Sequence, residues 1–239
     1  MNIAIPSLIL IPTSFLLYNS FMANTNVNKW GQSHHWEEAC IKTRRNLNER
    51  KRRISFLEIG RKDRVLDLGC GDGLNVKVLR KMGIRDVIGI DISPELLSIA
   101  RKENRDNKFY LASAEKLPFK ANYFDVVFVD SVFHHFMKYD RAIEEIKRVL
   151  KNGGKLCFIE PHRSILRSFY DFISTSFVAN FMPSLKRRGK SYLGEIRFMK
   201  HWLSTEEIFY KTLSKMGFRE KTKRSDVLSI IATYEVSKK

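Results

Sequence analysis

Apolar and polar positions alternate along this chain in blocks that read as strand, helix, strand. Val65, Leu66 and Leu68 form a short apolar run set beside Arg61, Lys62, Asp63 and Arg64, the pattern of a strand buried on both faces. Leu74, Val76, Val78, Leu79 and Met82 then follow helical spacing, and Gly83 is a natural stop. A second strand at 86–91 ends in Asp91, and Ser93, Pro94 and Glu95 open the next helix as N-cap, N1 proline and early acid. Further strands are expected at 107–111, 124–130 and 155–160, and helices at 94–104 and 139–150. Strands separated by helices in this way predict an α/β fold, a parallel sheet with helices on both faces. One more helix is expected from Ser204, paired with Glu207 in a capping box, to Met216. Gly217 ends it, and two strand-like segments follow at about 218–224 and 227–236.

Between the fifth strand and that last helix lies an insert, 161–202. Ile165, Phe169, Phe172, Ile173, Phe177 and Phe181 follow helical spacing there and make one apolar face, with Tyr192, Phe198 and Trp202 further on. Two readings stand: a lid over a ligand site that takes an apolar substrate, or a helix whose face packs on the sheet.

The chemistry concentrates where the first strand ends. Val65 to Gly73 reads Val-Leu-Asp-Leu-Gly-Cys-Gly-Asp-Gly, an apolar strand running into three alternating glycines. Strand, glycine turn, helix, strand and terminal acid together hold an adenosine-containing cofactor at the carboxyl edge of a parallel sheet. The spacing G-x-G-x-G departs from the dinucleotide spacing G-x-G-x-x-G. Asp67 stands just before the turn and Asp72 within it, and carboxylates there suit a cationic ligand better than a pyrophosphate. In doubly wound sheets ligands bind beyond the carboxyl ends of strands, so Asp130 to His135 and Glu160 to His162 are the candidates for contact with a second substrate.

With these motifs in order, the chain resembles the class I S-adenosylmethionine-dependent methyltransferases, from about residue 60 to residue 160. Gly-Ile-Asp-Ile-Ser at 89–93, Ala-Ser-Ala-Glu-Lys-Leu-Pro-Phe at 112–119, the strand 124–130 with Phe133-His134-His135 after it, and the helix ending in Lys151-Asn152-Gly153-Gly154 complete the likeness. It is similar to the broad group that includes the ubiquinone/menaquinone-pathway C-methyltransferases. The resemblance implies a Rossmann-like, doubly wound, seven-stranded sheet, mostly parallel with an antiparallel C-terminal edge strand. It implies S-adenosyl-L-methionine as cofactor, with Asp67, Gly69, Cys70 and Gly71 cradling its methionine part and Asp91 on the ribose hydroxyls. Ala114 and Glu115 match the adenine loop, where Ser113 replaces a common Asp, and Ile92 and Asp130 complete the expected cofactor-binding set. Methyl transfer needs alignment and water exclusion more than covalent help. A base, where one is needed, would come from His134, with His135 and His162 behind it.

The 239 residues suit one domain with an extension, and the three cysteines, Cys40, Cys70 and Cys157, have no paired spacing. No disulfide framework, zinc motif or other metal site is expected. The formal charge of +17 peaks at 42–53, with seven Lys/Arg against Glu49, and at 161–200, with eight against two acids. Solvated helix faces, an acidic membrane surface and nucleic acid all fit such charge. No Asn/Asp-Pro-Pro-Tyr/Phe segment follows the fourth strand and no cysteine lies there, which speaks against base-methylating chemistry. Residues 1–28 carry no charged side chain, and prolines at 6 and 12 interrupt the apolar stretch. An anchor, a natural start at Met22 and a buried segment are the three readings, since a spanning helix needs about 20 apolar residues. The expected organisation is 1–32 as this N-terminal segment, then 33–160 as the cofactor domain with an N-terminal helix whose face holds Trp36, Ala39, Cys40, Thr43 and Leu47. The insert 161–202 and a C-terminal helix and strands at 203–239 complete it. The expected function is methylation of a small apolar or lipid-like acceptor in the cytoplasm or at its membrane surface. The alternative is an RNA- or protein-directed methyltransferase. The oligomeric state is not legible.

Overall fold

The computed structural model describes residues 47–226 and 228–238. The expectations for the apolar N-terminal segment, for the helix from Ser33 and for Cys40 lie outside the described residues.

Helix α1 (Leu47–Ser55) precedes β1 (Arg64–Leu68), α2 (Leu74–Lys81), β2 (Asp86–Asp91), α3 (Pro94–Glu103), β3 (Lys108–Leu111) and β4 (Phe124–Asp130). A short 3-10 turn (Phe133–His135), α4 (Asp140–Val149) and β5 (Leu150–Pro161) follow. Then come α5 (Ile165–Thr175), a second 3-10 turn (Phe177–Phe181), α6 (Pro183–Lys215), β6 (Phe218–Ser225) and β7 (Ser229–Val236). The seven strands form one sheet in the order β3-β2-β1-β4-β5-β7-β6. The first five are parallel; β7 runs antiparallel to both β5 and β6, so the antiparallel strand sits one place in from the edge and β6 is the edge itself.

Strand periodicity divides the core. Val65 of β1 and Val126 and Phe128 of β4 face a cluster that holds Ile54, Val76, Leu79 and Leu97. Leu66, Leu68, Val127, Val129 and Phe158 face the other cluster, with Ile143, Ile146, Phe209 and Leu213. β1 lies between β2 and β4, where the strand order reverses, and this switch point is where a doubly wound sheet opens a crevice.

The C-terminal third departs from the sequence pattern. No helix starts at Ser204: α6 is continuous for 33 residues, and the Ser204 hydroxyl donates to the carbonyl of His201. A capping box is a local signal, and serine inside a helix meets its needs by bonding to a preceding carbonyl. The expected boundary between 202 and 203 therefore falls inside one helix. Close packing of α5 on α6 depends on Gly189, where a Cβ would stand 2.0 Å from the Ser174 carbonyl oxygen. The insert's apolar face does not pack on the sheet. Phe169, Phe172, Phe177 and Phe181 are 60 %, 70 %, 74 % and 73 % exposed, and Ile165 and Leu166 are exposed beside them. Among the described residues no helix is long and apolar enough to cross a membrane.

Candidate active site

Two carboxylates follow from the pleat. Asp67 falls on the same face as Val65, and Asp130 on that of Phe128, its neighbour's register partner. Asp67 is 0 % exposed, and among the described residues neither of its carboxylate oxygens has a hydrogen-bond partner. Burial pushes its carboxyl well above the ordinary carboxylate range, and the charge of Asp130 adds to this while Arg50 opposes it.

The glycine turn is tied to the end of β2. The N–H groups of Gly69 and Cys70 both donate to the Ile90 carbonyl at 2.8 Å, and the Gly71 N–H donates to Asp91 Oδ2 at 2.8 Å. Asp91 Oδ1 accepts from the Ser93 N–H at 2.9 Å. Desolvation at the strand end raises the Asp91 pKa, and the N–H groups of Ser93 and Gly71 oppose the shift. All three glycines have positive φ, but for different reasons. A Cβ at Gly69 would meet Val132 at 2.4 Å, and one at Gly73 would meet Asn104 at 2.6 Å. Above Gly71 no described residue lies closer than Leu96 at 4.0 Å, so among them that position leaves room for a ligand rather than for a neighbour.

The other expected cofactor residues line the same edge. Ile92 follows Asp91 and is half-buried. Beyond β3, Ala114 is buried, Glu115 is exposed, and the Glu115 N–H donates to the Ser113 hydroxyl at 3.2 Å. Cys70 is buried, and burial pushes its thiol well above the ordinary value, so it packs rather than reacts. Two residues that sequence reasoning missed complete this half. Arg50 of α1 donates to Asp130 Oδ2 at 2.5 Å and to the Asn75 side-chain oxygen. Asn75 also donates to Asp130 Oδ2, at 3.4 Å.

The second half lies on the opposite face. Ser131 leaves β4 with φ +62°, a left-handed conformation uncommon for serine, and donates its hydroxyl to Asp130 Oδ1. The chain then enters the 3-10 turn, where Glu160 of β5 holds it. Glu160 Oε1 accepts the N–H groups of Val132 and Phe133, each at 2.7 Å, and Oε2 stands 2.8 Å from His134 Nδ1. Burial would lower the His134 pKa, but the hydrogen bond and charge of Glu160, joined by Glu195 of α6, raise it above the ordinary imidazole value. His135 lies against His134 with ring centroids 4.0 Å apart. His162 instead pairs with Glu206, 3.2 Å from its Nδ1. The structure thus gathers Asp67, the glycine turn, Asp91 and Asp130 at the switch point. It sets His134 at the end of the neighbouring strand, braced by a buried carboxylate.

Residues 66–158 match the methyltransferase domain family. A demethylmenaquinone methyltransferase of Thermotoga maritima is 29 % identical over 164 residues, 68 % of this chain and 70 % of that one. A ubiquinone/menaquinone biosynthesis C-methyltransferase of Wigglesworthia glossinidia brevipalpis is 37 % identical over 122 residues, 46 % of this chain and 49 % of its own. The chain thus spans about half the length of that second relative. The solved S-adenosylmethionine-dependent methyltransferase of Aquifex aeolicus shares the fold, with a TM-score of 0.56 at 18 % identity over 78 % of this chain and 89 % of that one. Sheet order, glycine turn and matched pattern agree: residues 66–158 carry a methyltransferase domain, on the fold of the class I S-adenosylmethionine-dependent methyltransferases.

Proposed function

We propose that the protein transfers the methyl group of S-adenosylmethionine to a small apolar or lipid-like acceptor drawn from an anionic membrane surface. The observation that carries the acceptor class is the exposed phenylalanine face of α5 and the turn after it, on the same insert that brings Glu195 to His134. Exposed apolar patches of this kind mark binding surfaces. Exposed Arg163, Lys186, Arg197 and Lys200 surround that insert with positive charge, which attracts acidic headgroups. The two curated relatives are named for quinone methylation, and quinones are apolar acceptors of this class.

The cofactor fits the residues present. Asp67, buried without a hydrogen-bond partner among the described residues, would meet the cationic end of the methionine part, and the space that those residues leave above Gly71 would admit the ligand against the backbone. Arg50 stands at the same end to meet a carboxylate, and Asp91 would hold the ribose hydroxyls. When bound, S-adenosylmethionine supplies an electrophilic methyl group. The chain's own part is to orient the acceptor, exclude water and accept a proton at His134 Nε2, the nitrogen that Glu160 leaves turned away from itself.

Asp91→Ala should weaken cofactor binding at least tenfold, about 1.4 kcal/mol, in titration calorimetry; unchanged affinity would remove Asp91 from the site. The acceptor is tested with methyl-labelled S-adenosylmethionine, host extract, and vesicles with and without anionic lipid. Enzyme-dependent label in the organic phase, with co-sedimentation on anionic vesicles only, is expected. Label in RNA or protein would replace this reading with a macromolecule-directed one.

A further inference from the structure

Two histidines and a carboxylate converge beside the carboxyl ends of β4 and β5. His134 and His135 follow one another on the 3-10 turn, and Glu195 arrives from α6; one ligand atom from each lies within 4.8 Å of the others. His134 Nε2 is 3.7 Å from Glu195 Oε2. That is long for a hydrogen bond. It is close to the separation of about 3.3 Å between two ligands bound at about 2.0–2.1 Å to one tetrahedral ion.

The surroundings match what a metal ligand needs. A ligating histidine usually gives its other ring N–H to a carboxylate, which fixes ring orientation and tautomer. His134 Nδ1 does this with Glu160, itself held by two backbone N–H groups and buried. Two imidazoles and one carboxylate, with a further position open, is the ligand set of catalytic rather than structural zinc sites. The separation of Glu195 from the histidines along the chain explains why no metal spacing is legible in the sequence.

We propose that His134, His135 and Glu195 form a site for a divalent cation of the zinc class, with Glu160 orienting His134 from behind. The ion would balance the charges of Glu160 and Glu195 and join α6 to the turn after β4. With the ion bound, His134 Nε2 would be a ligand in place of a proton acceptor, and the open position would take a hydroxyl or enol oxygen of the acceptor, whose proton leaves to solvent. This last role rests on the methyltransferase reading; ion binding itself does not.

The test uses the untagged full chain, stripped with a chelator and titrated with Co²⁺ and then with competing Zn²⁺. One Co²⁺ per chain is expected, with the intense visible absorption of a low-symmetry site that Zn²⁺ abolishes. Glu195→Gln and His135→Ala should each lower affinity at least tenfold, and Glu195→His, which restores a ligand, should recover it. Glu160→Gln should weaken binding by about 10–100-fold, as loss of an orienting partner does. Asp91→Ala should bind the ion as the parent does. Absence of stoichiometric binding in the parent would overturn the site. So would parental affinity in both Glu195→Gln and His135→Ala, which would put the bound ion elsewhere and leave here an imidazole held between two carboxylates. Binding of S-adenosylhomocysteine, measured on the same samples, separates the two readings: its failure with the ion retained would strike the methyltransferase reading alone.

Discussion

Asp67→Asn should make the ligand-free protein more stable and its cofactor complex weaker. Asp67 has no exposed surface and, among the described residues, no hydrogen-bond partner, and burial followed by the Asp130 charge lifts its pKa well above the ordinary 3.8. A group whose folded pKa is raised contributes its full stability below the unfolded value and loses it as pH rises through the folded one. At neutral pH the Asp67 carboxylate therefore works against the fold. The amide removes the charge at nearly constant shape, which should gain about 1–2 kcal/mol. In thermal denaturation this is about 2–8 °C for a domain of this size. The gain should shrink as pH is lowered toward the unfolded value. Cofactor affinity should fall at least about tenfold, about 1.4 kcal/mol, because the group left waiting for a cation is gone. A variant no more stable than the parent at neutral pH would show that the carboxylate already has a partner.

Glu160→Ala should have the opposite and larger effect. Glu160 is buried and serves three groups at once: two backbone N–H groups and His134 Nδ1. Truncation strands all three, at a cost of about 3–5 kcal/mol, the range for removing one partner of a buried charged pair. Urea unfolding reads this directly, and a loss under about 1 kcal/mol would mean that other contacts hold the turn. Glu160→Gln separates fold from chemistry. Its oxygen can keep both backbone bonds, while its NH₂ turns His134 Nδ1 into an acceptor and so places the ring proton on Nε2. The variant should be far more stable than Glu160→Ala and yet lose proton-accepting capacity at Nε2.

The parts of the fold that were legible are those whose signals are local. The β1 run, the alternating glycines, Asp91 and the Ser93 cap each announce themselves within a few residues, and the structure places them as expected. Arg50 was hidden in a basic run, since nothing near it in sequence marks Asp130 as its partner. Asn75 did carry a signal: it is a polar residue three and four positions before the buried Val78 and Leu79, where the helix period calls for an apolar one. Glu195 was a lone acid among lysines and arginines, and only the tertiary path of α6 brings it to His134. Around Ser204 the local cap pattern was overridden by the burial of Trp202, Phe209 and Leu213 along one uninterrupted helix.

That uninterrupted helix makes the insert a lever. Its C-terminal half is clamped, with Trp202, Phe209 and Leu213 buried and the Trp202 indole N–H donating to the Pro161 carbonyl at 2.7 Å. At about 1.5 Å of rise per residue, Glu195 stands about 10 Å along the axis from Trp202, the first residue of that clamp. A tilt of about 10° at the clamp would then carry Glu195 through about 2 Å. The position of Glu195 is thus geared to packing around Phe209, whose ring centroid is 4.7 Å from that of Phe133 beside His134, and a core substitution there would shift Glu195 relative to His134.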